Sequence, residues 1–346
     1  TDQVGFDVLA VQPDQFGRIA TFRSDFSDLS LDELMESIEV VGRIEPIFLP
    51  ENADQIGVWM RTEDSVPNLF MWARIRTADG LAMTIPLGAI EAGPWSFKTA
   101  SLDGLRSPVQ LLGIQVFEGT SGTSGSPAVV MIDDVSGVTI TEDGDRTATV
   151  VASFDEQGAW RALPTNRGVD SAVGLFRGGD RGVVARFEMG RGTNGGTRGI
   201  YRPDIEGPIP VIISNRLAAE TGLEIDVPAI ITVGGTLAEV IPTATVELFP
   251  TMSPDTSSGF MVIDVEAIAR YAEVTGGNVA RSVDEVLIGL KDGADSQSIA
   301  SISGAFPGLV SIVNRQSVSD ASLVDPLAVA GWRGVGVLGG AIALLV

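Results

Sequence analysis

The chain has 346 residues, with 45 acidic against 23 basic side chains, a formal net charge of −22, no cysteine and no histidine. Disulfides, thiolate chemistry and a Ser-His-Asp triad are thereby excluded, and the commonest metal ligand is missing. The acidic surface repels phosphate backbones, so nucleic acid is not an expected partner, while 44% hydrophobic residues supply cores for two or three domains of roughly 100–200 residues.

Residues 1–42 open with "FDVLAVQPDQF", a strand-like apolar run that ends at Pro13 and leads into a helix. In "SLDELMESI", Ser30 stands three residues before Glu33, a capping-box arrangement, and Leu31, Leu34, Met35 and Ile38 share one helical face. From residue 43 to 138 the period changes to two. "IGVWMRT" puts Ile56, Val58 and Met60 on one face. "LFMWARIRT" puts Leu69, Met71, Ala73 and Ile75 on one face and Phe70, Trp72, Arg74 and Arg76 on the other. Turn signals at Asp79-Gly80 and Asp103-Gly104 separate such runs, so 43–138 is expected to be a β-sandwich. Residues 139–330 read as a mixed lobe. "PVIISNRLAAETGL" is a strand and then a helix stopping at Gly222, and "AIITVGGTLAEVIPTATVELFPT" is a hairpin across Gly234-Gly235 with a further strand. "GFMVIDVEAIARYAEVTG" is a strand and then a helix; "VDEVLIGLKDGAD", "DSQSIASISGAF" and "LVSIVNRQSV" read as strand, helix and strand. The expected class is α+β and β-rich, a jelly-roll-like sandwich plus a mixed lobe.

Few motifs carry chemistry. "GRGTNG" at 190–195 has the G-x-G-x-x-G spacing, but the prolines and glycines after it forbid the helix that a pyrophosphate site needs. "GTSGTSGS" fails the nucleophile-elbow spacing. The acidic runs Asp133-Asp134 and Glu142–Asp145 can offer oxygen ligands to calcium, yet lack EF-hand spacing and more simply form solvated turns. No catalytic residue, cofactor or metal is expected. Trp59, Trp72 and Trp95 all fall in 43–138; they are either core residues or faces on which a sugar ring stacks, and Trp72, opposite the apolar stripe, is the first candidate for exposure.

The last stretch, "DPLAVAGWRGVGVLGGAIALLV", has no charged side chain after Arg333. Gly336 and Gly340 form a G-x-x-x-G, the spacing that lets membrane helices approach closely, and would each cost about 1 kcal/mol relative to alanine in a soluble helix. Trp332 and Arg333 sit where an interfacial anchor belongs. Residues 331–346 are therefore expected to begin a transmembrane helix.

"GPIPVIISNRLAAETGLEIDVPAIITV", "VELFPTMSPDTSSGFMVIDVEAIARY", "DEVLIGL" and "PGLVSIVNRQSVSDASLVDPLAVAGW" resemble, in that order, the extracytoplasmic region of FtsX-like ABC transporter permeases, in which a MacB-like periplasmic domain runs into a membrane helix. Residues 43–138 resemble an inserted galactose-binding-like module, and residues 1–42 the end of a preceding extracytoplasmic lobe. The chain departs from the family in one turn, where Ile225-Asp226 replaces Gly-Asp. The resemblance implies a non-enzymatic segment on the outer side of the cell membrane. It would couple a separate cytoplasmic ATPase subunit, through the permease's membrane helices, to an external lipid, lipoprotein, peptide or cell-wall partner. The alternative is a membrane-anchored carbohydrate-binding surface protein. A carbohydrate or lipid ligand is possible under either reading.

Overall fold

The computed structural model describes residues 4–40, 44–65, 68–118, 127–154, 160–164, 172–177, 181–189, 198–252 and 258–276, with single positions at 288 and 301. β1 (Asp7–Val11) leads into α1 (Pro13–Ile19), where the proline occupies the helix start and its missing N–H costs nothing. α2 (Leu31–Ile38) carries the expected capping box: Glu33 N donates to Ser30 Oγ at 3.3 Å, and Ser30 N donates to the Glu33 carboxylate at 2.8 Å. Its stripe of Leu31, Leu34, Met35 and Ile38 is buried. Ser30→Ala removes the hydroxyl half of the box and is expected to cost about 1 kcal/mol, read as a lower urea midpoint. An unchanged midpoint contradicts the cap's role.

Twelve short strands follow among the described residues: β2 (Ile47–Phe48), β3 (Gln55–Thr62), β4 (Leu69–Arg76), β5 (Ala82–Ala89), β6 (Ser96–Ser101), β7 (Gln110–Glu118), β8 (Ala128–Ile140), β9 (Arg146–Ala152), β10 (Arg161–Ala162), β11 (Ala172–Arg177), β12 (Val183–Met189) and β13 (Arg198–Tyr201). They make two sheets. One runs β10-β13-β7-β4-β5 with β2 beside β7; the other runs β11-β12-β8-β3-β6 with β9 beside β8. A single core joins the two inner faces, with Ile56, Val58 and Met60 from β3, Met71 and Ile75 from β4, Ile114 from β7, Ile132 from β8 and Phe187 from β12. In β4 the burial alternates as the period-two pattern requires, with Phe70, Trp72, Arg74 and Arg76 left half-buried on the outer face.

The sandwich reaches beyond the expected boundary at residue 138, which lies inside β8. β9 and β12 both pair with β8, and β13 pairs with β7, so the module runs from 47 to 201. Periodicity marks a strand but not its partner, which can be far away in sequence.

The chain then builds β14 (Ile209–Ser214), α3 (Asn215–Thr221), β15 (Ala229–Val233), β16 (Thr236–Val246), β17 (Phe260–Asp264) and α4 (Val265–Thr275). Ser214 caps α3: its Oγ accepts from Leu217 N at 3.2 Å and from Phe260 N at 3.0 Å. Gly222 and Gly276 close α3 and α4 in the left-handed conformation. The departing turn at Ile225-Asp226 is made with Asp226 itself at φ 62°. The five strands form one mixed sheet, β1-β17-β14-β16-β15. Residues 7–11 are not the end of a separate lobe: β1 pairs in parallel with β17, from Asp7 opposite Phe260 to Val11 opposite Asp264. Both flanks of the sandwich thus share one sheet, and the sandwich is an insertion in it. Parallel neighbours so distant leave no local signal.

α1 and α2 cover one face of this sheet, around Phe16, Leu34, Ile38, Ile212, Phe249 and Phe260; α3 and α4 cover the other, around Val211, Leu217, Met261, Ile263 and Ile268. β16 serves both faces because it bulges. Val211 pairs with Pro242 and Ile212 with Ala244, so Thr243 is an extra residue, and Ala238 and Val240 point to one core while Ala244 and Val246 point to the other. The Thr243 hydroxyl bonds Val211 O at 3.2 Å and lies 3.1 Å from Ser37 Oγ of α2, fixing the kink.

These elements fall in a unit of residues 1–287, and residues 288–346 form a second unit. Among the described residues no helix is long and apolar enough to cross a membrane. Residues 331–346, with Trp332, Arg333, Gly336 and Gly340, lie outside the described residues, as do "GTSGTSGS", "GRGTNG" and most of the runs expected after residue 277.

Candidate functional site

The three tryptophans separate onto the two outer faces of the sandwich. On the β3 side, Trp59 of β3 lies beside Asp133 of β8 and Phe97 of β6 in register, with the Trp59 and Phe97 rings 5.2 Å apart. Gly57 makes room for the Phe97 ring, which an added Cβ would strike. Arg181, just before β12, lays its guanidinium over Trp59 at 4.2 Å and stands 5.7 Å from the centre of Trp95. The same guanidinium bonds Asp133 through Nε and Asp134 through Nη2, each at 2.6 Å. Asp134 sits at φ 42°, at the register shift between β3 and β8, which turns both neighbouring carboxylates to one side. Burial pushes the Asp133 carboxyl above its ordinary pKa, against the bond from Arg181 that holds it down.

Trp59 and Trp95 therefore share Arg181 as a neighbour. Arg181 covers one face of the Trp59 ring, and the acidic pair Asp133-Asp134 is neutralised in part by the same cation. Among the described residues no third metal-ligating side chain joins it. Glu142–Asp145 is the exposed tip of the β8–β9 hairpin, closed by Thr141 N to Asp145 O at 2.9 Å. Trp72 lies on the opposite sheet, half-buried as the stripe pattern expects, with one ring face taken by Phe117 at 4.7 Å and 13°.

The outer face that bears Trp72 also carries the joint to the mixed lobe. Arg74 Nε donates to Glu273 O at 2.6 Å, Gln115 Nε2 donates to Val274 O at 3.1 Å, and Arg76 Nε donates to the Glu273 carboxylate at 2.7 Å. Glu273 and Val274 are the last turn of α4, where carbonyls have no partner within the helix. Two of them are met by the sandwich, and Arg74 adds positive charge at the negative end of the helix dipole. Burial lowers the pKa of both Arg74 and Arg76, yet a guanidinium stays charged. Apolar packing backs this joint: Leu112, Leu163 and Tyr201 of the sandwich side close on Val274 and Tyr271. Tyr201 and Tyr271, the chain's two tyrosines, meet edge to face at 5.9 Å. Burial raises both phenols, Tyr201 to about 12, so both remain protonated at neutral pH. The cleft beside them, lined by Arg161, Asp204, Glu239 and Arg270, holds about 30 Å³, room for a water or two rather than an organic ligand.

Arg74→Ala together with Gln115→Ala leaves two helix-end carbonyls without donors and is expected to cost about 2 kcal/mol. Hydrogen exchange should speed up in α4 while α2 keeps its protection; equal protection of α4 in both proteins contradicts the joint.

Three parts of this arrangement had no expectation attached: Arg181, the Tyr201–Tyr271 pair and Glu273. Arg181 is 48 residues from Asp133, and nothing near it marks its role. For the tyrosines the one sequence signal is their rarity, two in the whole chain. No protein-family model, curated protein or solved structure matches this chain.

Proposed function

We propose that the chain is the outward-facing segment of an FtsX-like ABC transporter permease, in which movement of membrane helices is passed to an external lipid, lipoprotein, peptide or cell-wall partner. The observation that carries this reading is the joint at the last turn of α4. The sandwich, inserted in the lobe, grips the helix whose chain runs on toward the apolar stretch at 334–346. A displacement of α4 therefore moves the sandwich with it as a lever. The ATPase is a separate subunit in this reading.

The test is purification of the protein carrying this chain from its native membrane in mild detergent. A nucleotide-binding subunit should accompany it, and ATP should alter the protease sensitivity of the sandwich in the natural protein but not with Arg74→Ala and Gln115→Ala. Purification with no ATPase attached contradicts the reading.

A further inference from the structure

We propose that the open edge of β16 at Thr243–Val246 takes up an extended, basic peptide segment of a partner protein as an added strand. β16 is paired with β14 from Val240 to Val246, but β15 covers its other edge only from Thr236 to Val240. The final rung on that edge is Asp226 N to Pro242 O at 2.9 Å. Beyond it lies an open groove of about 490 Å³ whose far wall is the loop at 24–29. The loop shuts the far end: Phe26 O accepts from Glu247 N at 3.0 Å.

Pro242 O and Glu247 N both point out of this edge. Backbone groups alternate along a strand, and the extra residue at Thr243 shifts that alternation by one. The N–H and C=O of Thr245 therefore face the groove, and among the described strands none lies against them. From Pro242 to Glu247 the slot spans about 17 Å, the length of roughly five strand residues. Strand addition to such an edge supplies main-chain bonds, and side-chain chemistry selects the partner.

That chemistry is on the walls. Asp25, Asp28 and Glu247 line the groove, and Leu29 and Ile225 flank it at 40% and 46% exposure. Arg23 pairs with Asp25 and Asn215 binds Glu247, which leaves a net negative rim. A strand bearing lysine or arginine, with an aliphatic residue between, satisfies both features. This inference stands on the lobe's own geometry and does not depend on the permease reading.

The test uses the whole chain with two five-residue probes, acetyl-Thr-Lys-Val-Lys-Thr-amide and its glutamate counterpart. Fluorescence-labelled forms are titrated, and hydrogen exchange locates binding. The lysine peptide should bind at least about tenfold more tightly than the glutamate peptide, with protection at 243–247. Asp28→Lys with Glu247→Lys should reverse that preference while the fold is unchanged by circular dichroism, and Thr245→Pro, which deletes the groove-facing N–H, should abolish it. Equal binding of the two peptides, or protection elsewhere, overturns the proposal. So does concentration-dependent dimerisation that Asp28→Lys with Glu247→Lys abolishes, since that outcome gives the groove to a second copy of the chain.

Discussion

Gly199→Ala is expected to destabilise the sandwich by about 3–5 kcal/mol. Two independent penalties meet at this position. Gly199 has φ 129°, in a region that an L side chain rarely enters. A Cβ built there also overlaps Ile114 O and lies 2.8 Å from Gln115 Cα, so it meets backbone, which cannot turn aside. β13 pairs with β7 at this point and carries the chain out of the sandwich toward Tyr201 and the α4 joint. Gly113 faces the same approach from β7, where an added Cβ would stand 2.7 Å from Ile200 O. A domain's whole stability is about 5–15 kcal/mol, so the loss is a large share of it. The check is urea unfolding followed by tryptophan fluorescence; a midpoint equal to that of the natural protein contradicts the close approach of β7 and β13.

Arg181→Ala is expected to cost about 3 kcal/mol at neutral pH, the lower end of what removing one partner of a buried ion pair costs. Asp133 keeps 3% side-chain exposure and Arg181 18%, so the carboxylate left behind is well desolvated while the lost cation was partly wet. The variant also carries a pH signature. The folded-state pKa of Asp133 is already raised by burial, and Arg181 is what holds it down. Without Arg181 it rises further. Between the unfolded and the folded pKa, the folded state binds more protons, so stability falls as pH rises through that window. The deficit of Arg181→Ala relative to the natural protein should therefore shrink as the pH is lowered from neutrality toward the raised pKa of Asp133. Asp133→Asn added to Arg181→Ala should remove that pH dependence. A deficit that stays constant across this range contradicts the assignment to Asp133.

Much of the fold was legible in the chain. The capping box at Ser30 and Glu33, the two-faced strand at 69–76, and the strand-helix pairs ending at Gly222 and Gly276 all follow from patterns within a dozen residues. Such patterns report local geometry, and local geometry is where the sequence is a reliable guide. What escaped was partner choice. The parallel pairing of β1 with β17 spans most of the described chain, and the return of β9, β12 and β13 to the sandwich leaves no trace in their own periodicity. The candidate site shows the same division. Trp72 on the outer face was legible from alternation, whereas the filling of the Trp59 face by Arg181 depends on a contact 48 positions away from Asp133. The bulge at Pro242-Thr243 that opens the groove is marked in sequence by a proline inside a strand, a signal that by itself fits several irregularities.

In the proposed reading the apolar run after Arg333 stands in a bilayer, with residues 1–330 outside it. The chain has no cysteine, so a single introduced thiol reports its surroundings without background. Gly340→Cys and Asp143→Cys, the latter in the exposed β8–β9 turn, are to be treated with a membrane-impermeant maleimide in intact cells making the protein that carries this chain. Asp143→Cys should label rapidly, and Gly340→Cys not at all until detergent is added. Labelling of Gly340→Cys as fast as Asp143→Cys in intact membranes would contradict it.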